Sequence, residues 1–218
     1  MELTIQQIQK VEQYLNAKRI DYIDIRLEVL DHIVSDIEVL IERETIDFET
    51  AFYKVTNKWN LHLKETSSFY FGIMYSAPKI LIDKAKKTFR KYFFMLFAFY
   101  FFPLIFFSNI YFSFSKNAQN YFNQGFKTAT IFLLMISIYV LINKDKSKLK
   151  TTFSFILKSQ SLGIFIGFIL VLCTTFFDKT NNFNGIALGL FLSFIYQTLV
   201  YFYFYKKHKE AIKKYNIS

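Results

Sequence analysis

Through the first 60 residues apolar side chains recur at steps of three and four, the spacing that gathers them on one face of an α-helix. Ile5, Ile8, Val11 and Leu15 form one such stripe. Thr4 stands three residues before Gln7, a capping-box spacing that satisfies exposed helix N–H groups. Asp21 is placed to cap a longer second helix reaching to about Glu44, with a stripe of Leu30, Ile33, Ile37, Leu40 and Ile41. Asp47 is placed to cap a third, with Phe48, Ala51, Phe52, Val55 and Trp59 turned inward. Three short amphipathic helices can share a core, but a unit of this size buries little surface alone and is expected to lean on something else.

Residues 61–91 have a different pattern. Phe69, Tyr70, Phe71, Ile73, Met74 and Tyr75 make an apolar patch too short to cross a bilayer, so an interfacial or docking segment is expected. After Pro78, suited to a helix start, Ile80, Leu81, Ile82, Ala85 and Phe89 are interleaved with Lys79, Lys84, Lys86, Lys87, Arg90 and Lys91. This predicts a basic juxtamembrane helix, with Lys84, Lys86, Lys87, Arg90 and Lys91 as candidate contacts to anionic lipid headgroups. Four continuous apolar runs follow at about 92–113, 126–142, 159–177 and 184–205, and a basic tail occupies 206–218. Unbroken apolarity of this length predicts membrane-spanning helices and excludes the alternating pattern of a β-barrel. The expected fold is all-α: an N-terminal three-helix domain over 1–60, then a four-helix transmembrane bundle over 92–205.

Charge adds an orientation. Residues 1–78 carry 8 Lys/Arg against 13 Asp/Glu, whereas 79–91 carry 6 against 1. Basic residues are dense before the first run, sparse after it (Lys116, Lys127), and dense in the second loop (Lys144, Lys146, Lys148, Lys150, Lys158). They are sparse again in the third loop (Lys179) and dense in the tail. Because loops retained in the cytoplasm are rich in Lys and Arg, this alternation predicts a multi-pass protein of the bacterial cytoplasmic membrane with both termini in the cytoplasm. The N-terminus lacks a basic segment followed by an apolar core, so no cleavable signal peptide is expected.

Composition agrees: the chain of 218 residues is 53% hydrophobic and 21% aromatic, and its net charge of +10 lies beside apolar runs, so nucleic acid is not an expected partner. Cys173 is the single cysteine, which leaves no internal disulfide or thiolate metal site. Phosphate-loop, nucleophile-elbow and metalloprotease motifs are absent, and neither an enzyme nor a cofactor is expected.

Three groups of residues carry candidate chemistry. Glu28, His32 and Asp36 recur at i, i+4 and i+8, with Asp31 beside them. A partner-facing or solvated acidic face is expected, with a divalent metal site or a pH-sensitive contact as alternatives. Gly163 and Gly167, then Gly185 and Gly189, have the spacing that lets membrane helices approach closely. Packing of spans three and four is expected, with homodimerisation or ligand lining as alternatives. No Asp, Glu, Arg or His lies centrally in a run, so Gln197 is the principal intramembrane polar candidate, alongside Tyr196, Gln160, Thr128 and Thr130. Pro103 is expected to kink the first span.

The stretch from Val11 to Val55, with Tyr14, Leu15, Arg26, Glu28, Asp31, His32, Glu49 and Ala51, resembles the HAAS-type helical domain of the DUF1700 group of bacterial membrane proteins. It departs from that pattern where a glycine precedes the third helix and a Leu-Gly-x-Pro follows it; here these places read Arg43-Glu44-Thr45 and Lys58-Trp59-Asn60. The resemblance implies a cytoplasmic three-helix module attached to several spans, in signalling with a transcriptional regulator of the PadR type. The function expected is therefore a non-enzymatic regulatory or scaffolding membrane protein whose acidic face binds a cytoplasmic regulatory protein, while its spans, in contact with lipid, anchor it or sense the bilayer or a small apolar ligand. A small transporter or accessory transport subunit, with a path at Gln197, Tyr196 and the glycines, is the alternative.

Overall fold

The computed structural model describes residues 2–107, 114–144, 147, 149–177 and 181–215. It is 80% helical, and four helices are long and apolar enough to cross a membrane. The end of the first expected span, 108–113, and the loop charges Asp145, Lys146, Lys148, Asp178 and Lys179 lie outside the described residues. The chain divides into two compact units. One is Met1–Thr88 with Ser147–Phe155 and His208–Ser218; the other is Phe89–Lys146 with Ile156–Lys207.

The first unit opens with α1 (Ile5–Ala17), capped as its sequence predicts: the Thr4 side chain accepts the Gln7 N–H while the Gln7 side chain accepts the Thr4 N–H. Its exit is a Schellman turn, with Arg19 in the left-handed region (φ 54°) and the Ile20 N–H reaching back to the Leu15 carbonyl at 3.1 Å. Val11, Leu15 and Ile20 are buried, whereas Ile5, expected in the buried stripe, is 77% exposed.

Helix α2 (Ile23–Glu44) buries Ile25, Val29, Ile33 and Ile37. This stripe advances by four residues and is rotated from the expected one, leaving Leu30, Leu40 and Ile41 only half-buried. Asp21 does not cap α2: Tyr22 occupies the N-cap position without a side-chain bond, and Asp21 pairs instead with Lys150 at 3.0 Å. Helix α3 (Phe48–Leu63) is capped by Asp47, which accepts the Thr50 N–H at 2.9 Å. Tyr14 ties α1 to α3, donating to Asn60 Oδ1 at 3.0 Å and meeting Phe52 edge-on.

The expected apolar patch folds as an antiparallel hairpin, β1 (Glu65–Ser68) and β2 (Gly72–Pro78), with Gly72 at φ +84° in the turn. Phe71 and Ala77 are buried, and Phe71 packs edge-on against Phe155 at 5.2 Å. Helix α4 (Lys79–Phe107) follows directly.

The second unit contains the greater part of α4, with Pro103 inside it, then α5 (Lys116–Lys144), most of α6 (Thr152–Cys173), and α7 (Gly185–Tyr215) through Lys207. Aromatic side chains fill much of its interior, among them Phe126 stacked on Phe176 at 4.1 Å and meeting Phe191 edge-on at 4.9 Å. Outward-facing apolar side chains such as Phe102 (70%) and Ile105 (64%) stay exposed, as expected of helices whose solvent is lipid rather than water. The basic tail expected after 205 is helical through Tyr215.

Candidate functional site

In the second unit, α4, α6 and α7 line a partly open cavity of about 360 Å³. Its walls are apolar and aromatic, from Leu96, Phe97 and Tyr100 on α4, Ile166 and Leu170 on α6, and Phe194 and Val200 on α7. Gln160, Ser193, Tyr196 and Gln197 add polar groups, and no charged side chain among the described residues lines it. This combination of an apolar wall with a few polar groups is what a small-molecule site requires.

The glycines explain how the polar groups reach the wall. A Cβ at Gly163 would lie 2.9 Å from the Gln197 amide nitrogen, and one at Gly167 would lie 3.4 Å from its oxygen and 3.2 Å from Phe194. The missing side chains of α6 therefore make room for Gln197 of α7. The second glycine pair does different work: Cβ atoms at Gly185 and Gly189 would lie 3.0 Å from the Pro103 carbonyl and 2.5 Å from that of Tyr100. One pair thus packs α6 on α7, as expected of spans three and four, whereas the other packs α7 on α4, a contact outside that expectation. Tyr196 stacks on Phe99 at 4.7 Å, and its hydroxyl is buried with no hydrogen-bond partner among the described residues.

The acidic face of α2 is divided among partners within the first unit. Glu28 pairs with Lys84 at 2.6 Å, and Asp36 accepts the Trp59 indole N–H at 3.1 Å with Lys58 at 3.6 Å. His32 stacks on Trp59, with centroids 6.3 Å apart. Asp31 and His32 are exposed. The i, i+4, i+8 set therefore does not converge, and among the described residues no group of three or more His, Cys, Asp or Glu is placed to hold a metal ion. Lys84, expected at lipid headgroups, is held by Glu28 and by Asp24 at 3.9 Å. Lys86 lies over the Tyr70 ring at 5.4 Å, Lys91 over Tyr92 at 4.9 Å, and Lys87 and Arg90 are exposed.

Five residues outside the expected set, Asp24, Thr151, Thr152, Ser154 and His208, organise this region. The Asp24 carboxylate accepts the Thr152 N–H at 2.9 Å and the Thr152 hydroxyl at 2.6 Å, satisfying the first turn of α6. Beside it, Thr151 Oγ1 accepts the Ser154 N–H and Ser154 Oγ accepts the Thr151 N–H, and buried His208 meets Thr151 Oγ1 through Nδ1 at 2.9 Å. The Thr151-Thr152-Phe153-Ser154 run is a capping signature that marks the start of α6, seven residues before the apolar run begins. Nothing local marks Asp24 or His208 as its partners.

No family model, curated protein or solved structure matches the chain.

Proposed function

We propose that this is a non-enzymatic regulatory protein of the bacterial cytoplasmic membrane, with both termini in the cytoplasm. In this reading the helical unit presents Asp31 and His32 to a cytoplasmic regulatory protein. The availability of that surface depends on an uncharged apolar ligand held by the spans, and Lys86, Lys87, Arg90 and Lys91 contact anionic headgroups. A shared role with HAAS-type modules is part of the proposal.

One observation carries it. The three helices that line the cavity are those tied by polar side chains in the first unit: α4 through Lys84 to Glu28, α6 through Thr152 to Asp24, and α7 through His208 to Thr151. Helix α5 contributes nothing to that cavity lining. A change in the packing of α4, α6 and α7 therefore has a route to α2: each helix runs on into the first unit, where α4 and α6 bond to α2 through Glu28 and Asp24 and α7 bonds to the start of α6 through His208. The absence of charge from the lining favours an uncharged ligand, since a charged group there would lack a counter-ion. Affinity capture of the full-length protein from its native membrane, compared with an Asp31→Ala/His32→Ala variant, tests the partner surface. The reading expects a captured cytoplasmic protein that the variant loses; equal capture by both would remove Asp31 and His32 from the account.

A second reading, as a small transporter, is favoured by the meeting of Gln197, Tyr196 and the Gly163–Gly167 face on one cavity. It expects solute flux in proteoliposomes that Gln197→Leu abolishes.

A further inference from the structure

The hairpin holds its apolar side chains on two sides. Phe71 and Ala77 face the unit's core, whereas Phe69, Ile73 and Met74 are 83%, 83% and 86% exposed around the Gly72 turn. In a water-facing unit such a cluster of large apolar groups is unfavourable and marks a surface that meets something less polar than water.

Its surroundings identify the occupant. Tyr70, in the same turn, lies beneath the Lys86 ammonium, and exposed Lys87 follows on the same helix. Lys86 stands six residues before Tyr92, where the first apolar run begins; at a rise of about 1.5 Å per residue this is about 9 Å along α4. Phe71 packs on Phe155, four residues before Ser159, where the third apolar run begins, about 6 Å along α6 at the same rise. Both neighbours of the turn therefore lie within two helical turns of apolar runs that cross a membrane. The residues 79–91 that flank it carry six basic side chains against one acidic. Apolar tip, aromatic residue at the polar boundary and adjacent lysines match the layering of an anionic bilayer surface: acyl chains, interface, headgroups.

We propose that the hairpin is a membrane-insertion loop, with Phe69, Ile73 and Met74 entering the acyl boundary of the leaflet where α4 begins to cross and Lys86 and Lys87 contacting anionic headgroups. This does not depend on what the span cavity binds.

The test uses the full chain in vesicles of phosphatidylcholine and phosphatidylglycerol, with Trp59→Phe and a single tryptophan at Phe69→Trp or, as control, at Tyr53→Trp on α3, where Tyr53 is 67% exposed. Insertion predicts that lipids brominated near the headgroup quench tryptophan 69 at least about twofold more than tryptophan 53, with aqueous acrylamide showing the reverse order. Equal quenching by acrylamide at both positions overturns the proposal. Shielding of position 69 from both quenchers also overturns it and assigns the tip to a protein contact. Because Trp59→Phe removes the bond to Asp36, a cysteine pair that keeps Trp59 gives an independent reading. Phe69→Cys and Tyr53→Cys are placed in a Cys173→Ser background and treated with a charged maleimide. Position 53 is expected to react and position 69 to be protected until the protein is unfolded; equal reaction in intact vesicles overturns insertion.

Discussion

Asp24 and Thr152 lie 128 residues apart, yet one carboxylate of α2 satisfies both the backbone N–H and the hydroxyl of the residue that opens α6. Asp24 is only 10% exposed at its side chain, and Thr152 is 2% exposed, so water is a poor substitute on either side. The pair links the N-terminal helices to a helix long and apolar enough to cross a membrane.

Replacing this carboxylate is therefore expected to cost more than replacing its neighbour. Asp24→Ala strands a buried N–H and a buried hydroxyl, a loss of about 1–3 kcal/mol. Glu28→Ala breaks a largely exposed pair with Lys84, with a loss below about 1 kcal/mol. Unfolding in mixed micelles gives the ranking, and amide exchange at Thr152 is expected to rise in Asp24→Ala alone.

The glycines separate by what surrounds them. Gly189→Ala sets a methyl against the Tyr100 carbonyl, where no side chain can move aside, and is expected to destabilise by about 1–3 kcal/mol. At Gly125 no atom of the described residues outside its own helix lies within 4 Å of a Cβ, so Gly125→Ala is expected to stabilise α5 by about 0.4–1 kcal/mol. Thermal unfolding of the two variants checks this opposition of sign.

The helical unit has titrations at both ends of the pH scale. Burial pushes the Tyr14 and Tyr22 phenols up to about 12, and Asp21 and Asp24 reinforce the shift at Tyr22. A folded pKa above the unfolded value favours the folded state below pH 10.0, and this contribution is lost as pH rises from there toward 12. Phenolate absorbance is expected to show a late component that Tyr14→Phe and Tyr22→Phe each reduce. The N–H and hydroxyl of Thr50 hold the Asp47 carboxyl below its ordinary 3.8, so its cap of α3 is present above that value and lost as pH falls through the lower, folded one. Amide exchange at Thr50 is expected to be flat near neutrality and to rise in acid.

The four spans are legible because a run of about 20 apolar residues is a signal that tertiary context cannot disguise. Their helices extend beyond those runs: α5 begins at Lys116 rather than near 126, and α7 continues to Tyr215. Apolarity marks where lipid begins, not where backbone bonding stops, and polar turns such as those after Lys206 remain helical. Thr4 and Asp47 are readable as caps because their partners lie three residues away, whereas Asp21 bonds to Lys150 across the chain. Aromatic and β-branched residues on either side of Gly72 carry a strand-turn pattern, but the helical periodicity around them obscures it, and the hairpin stands outside the all-α expectation. At the candidate site, Gln197 and the glycines are found by residue type alone, but the cavity they share depends on how three distant helices pack. The acidic residues of α2 were equally visible, while their division between Lys84, Trp59 and solvent depends on α3 and α4.

The central claim is that the cavity of α4, α6 and α7 communicates with α2. Hydrogen exchange of the full-length protein in nanodiscs, with and without a saturating long-chain alcohol as the neutral ligand, tests it most directly, with Val200→Phe, which narrows the cavity, as control. The account predicts altered exchange at residues 21–36 and at Thr152 on adding the alcohol, and no such change in Val200→Phe. Altered exchange confined to the cavity helices, with residues 21–36 unchanged, would contradict it.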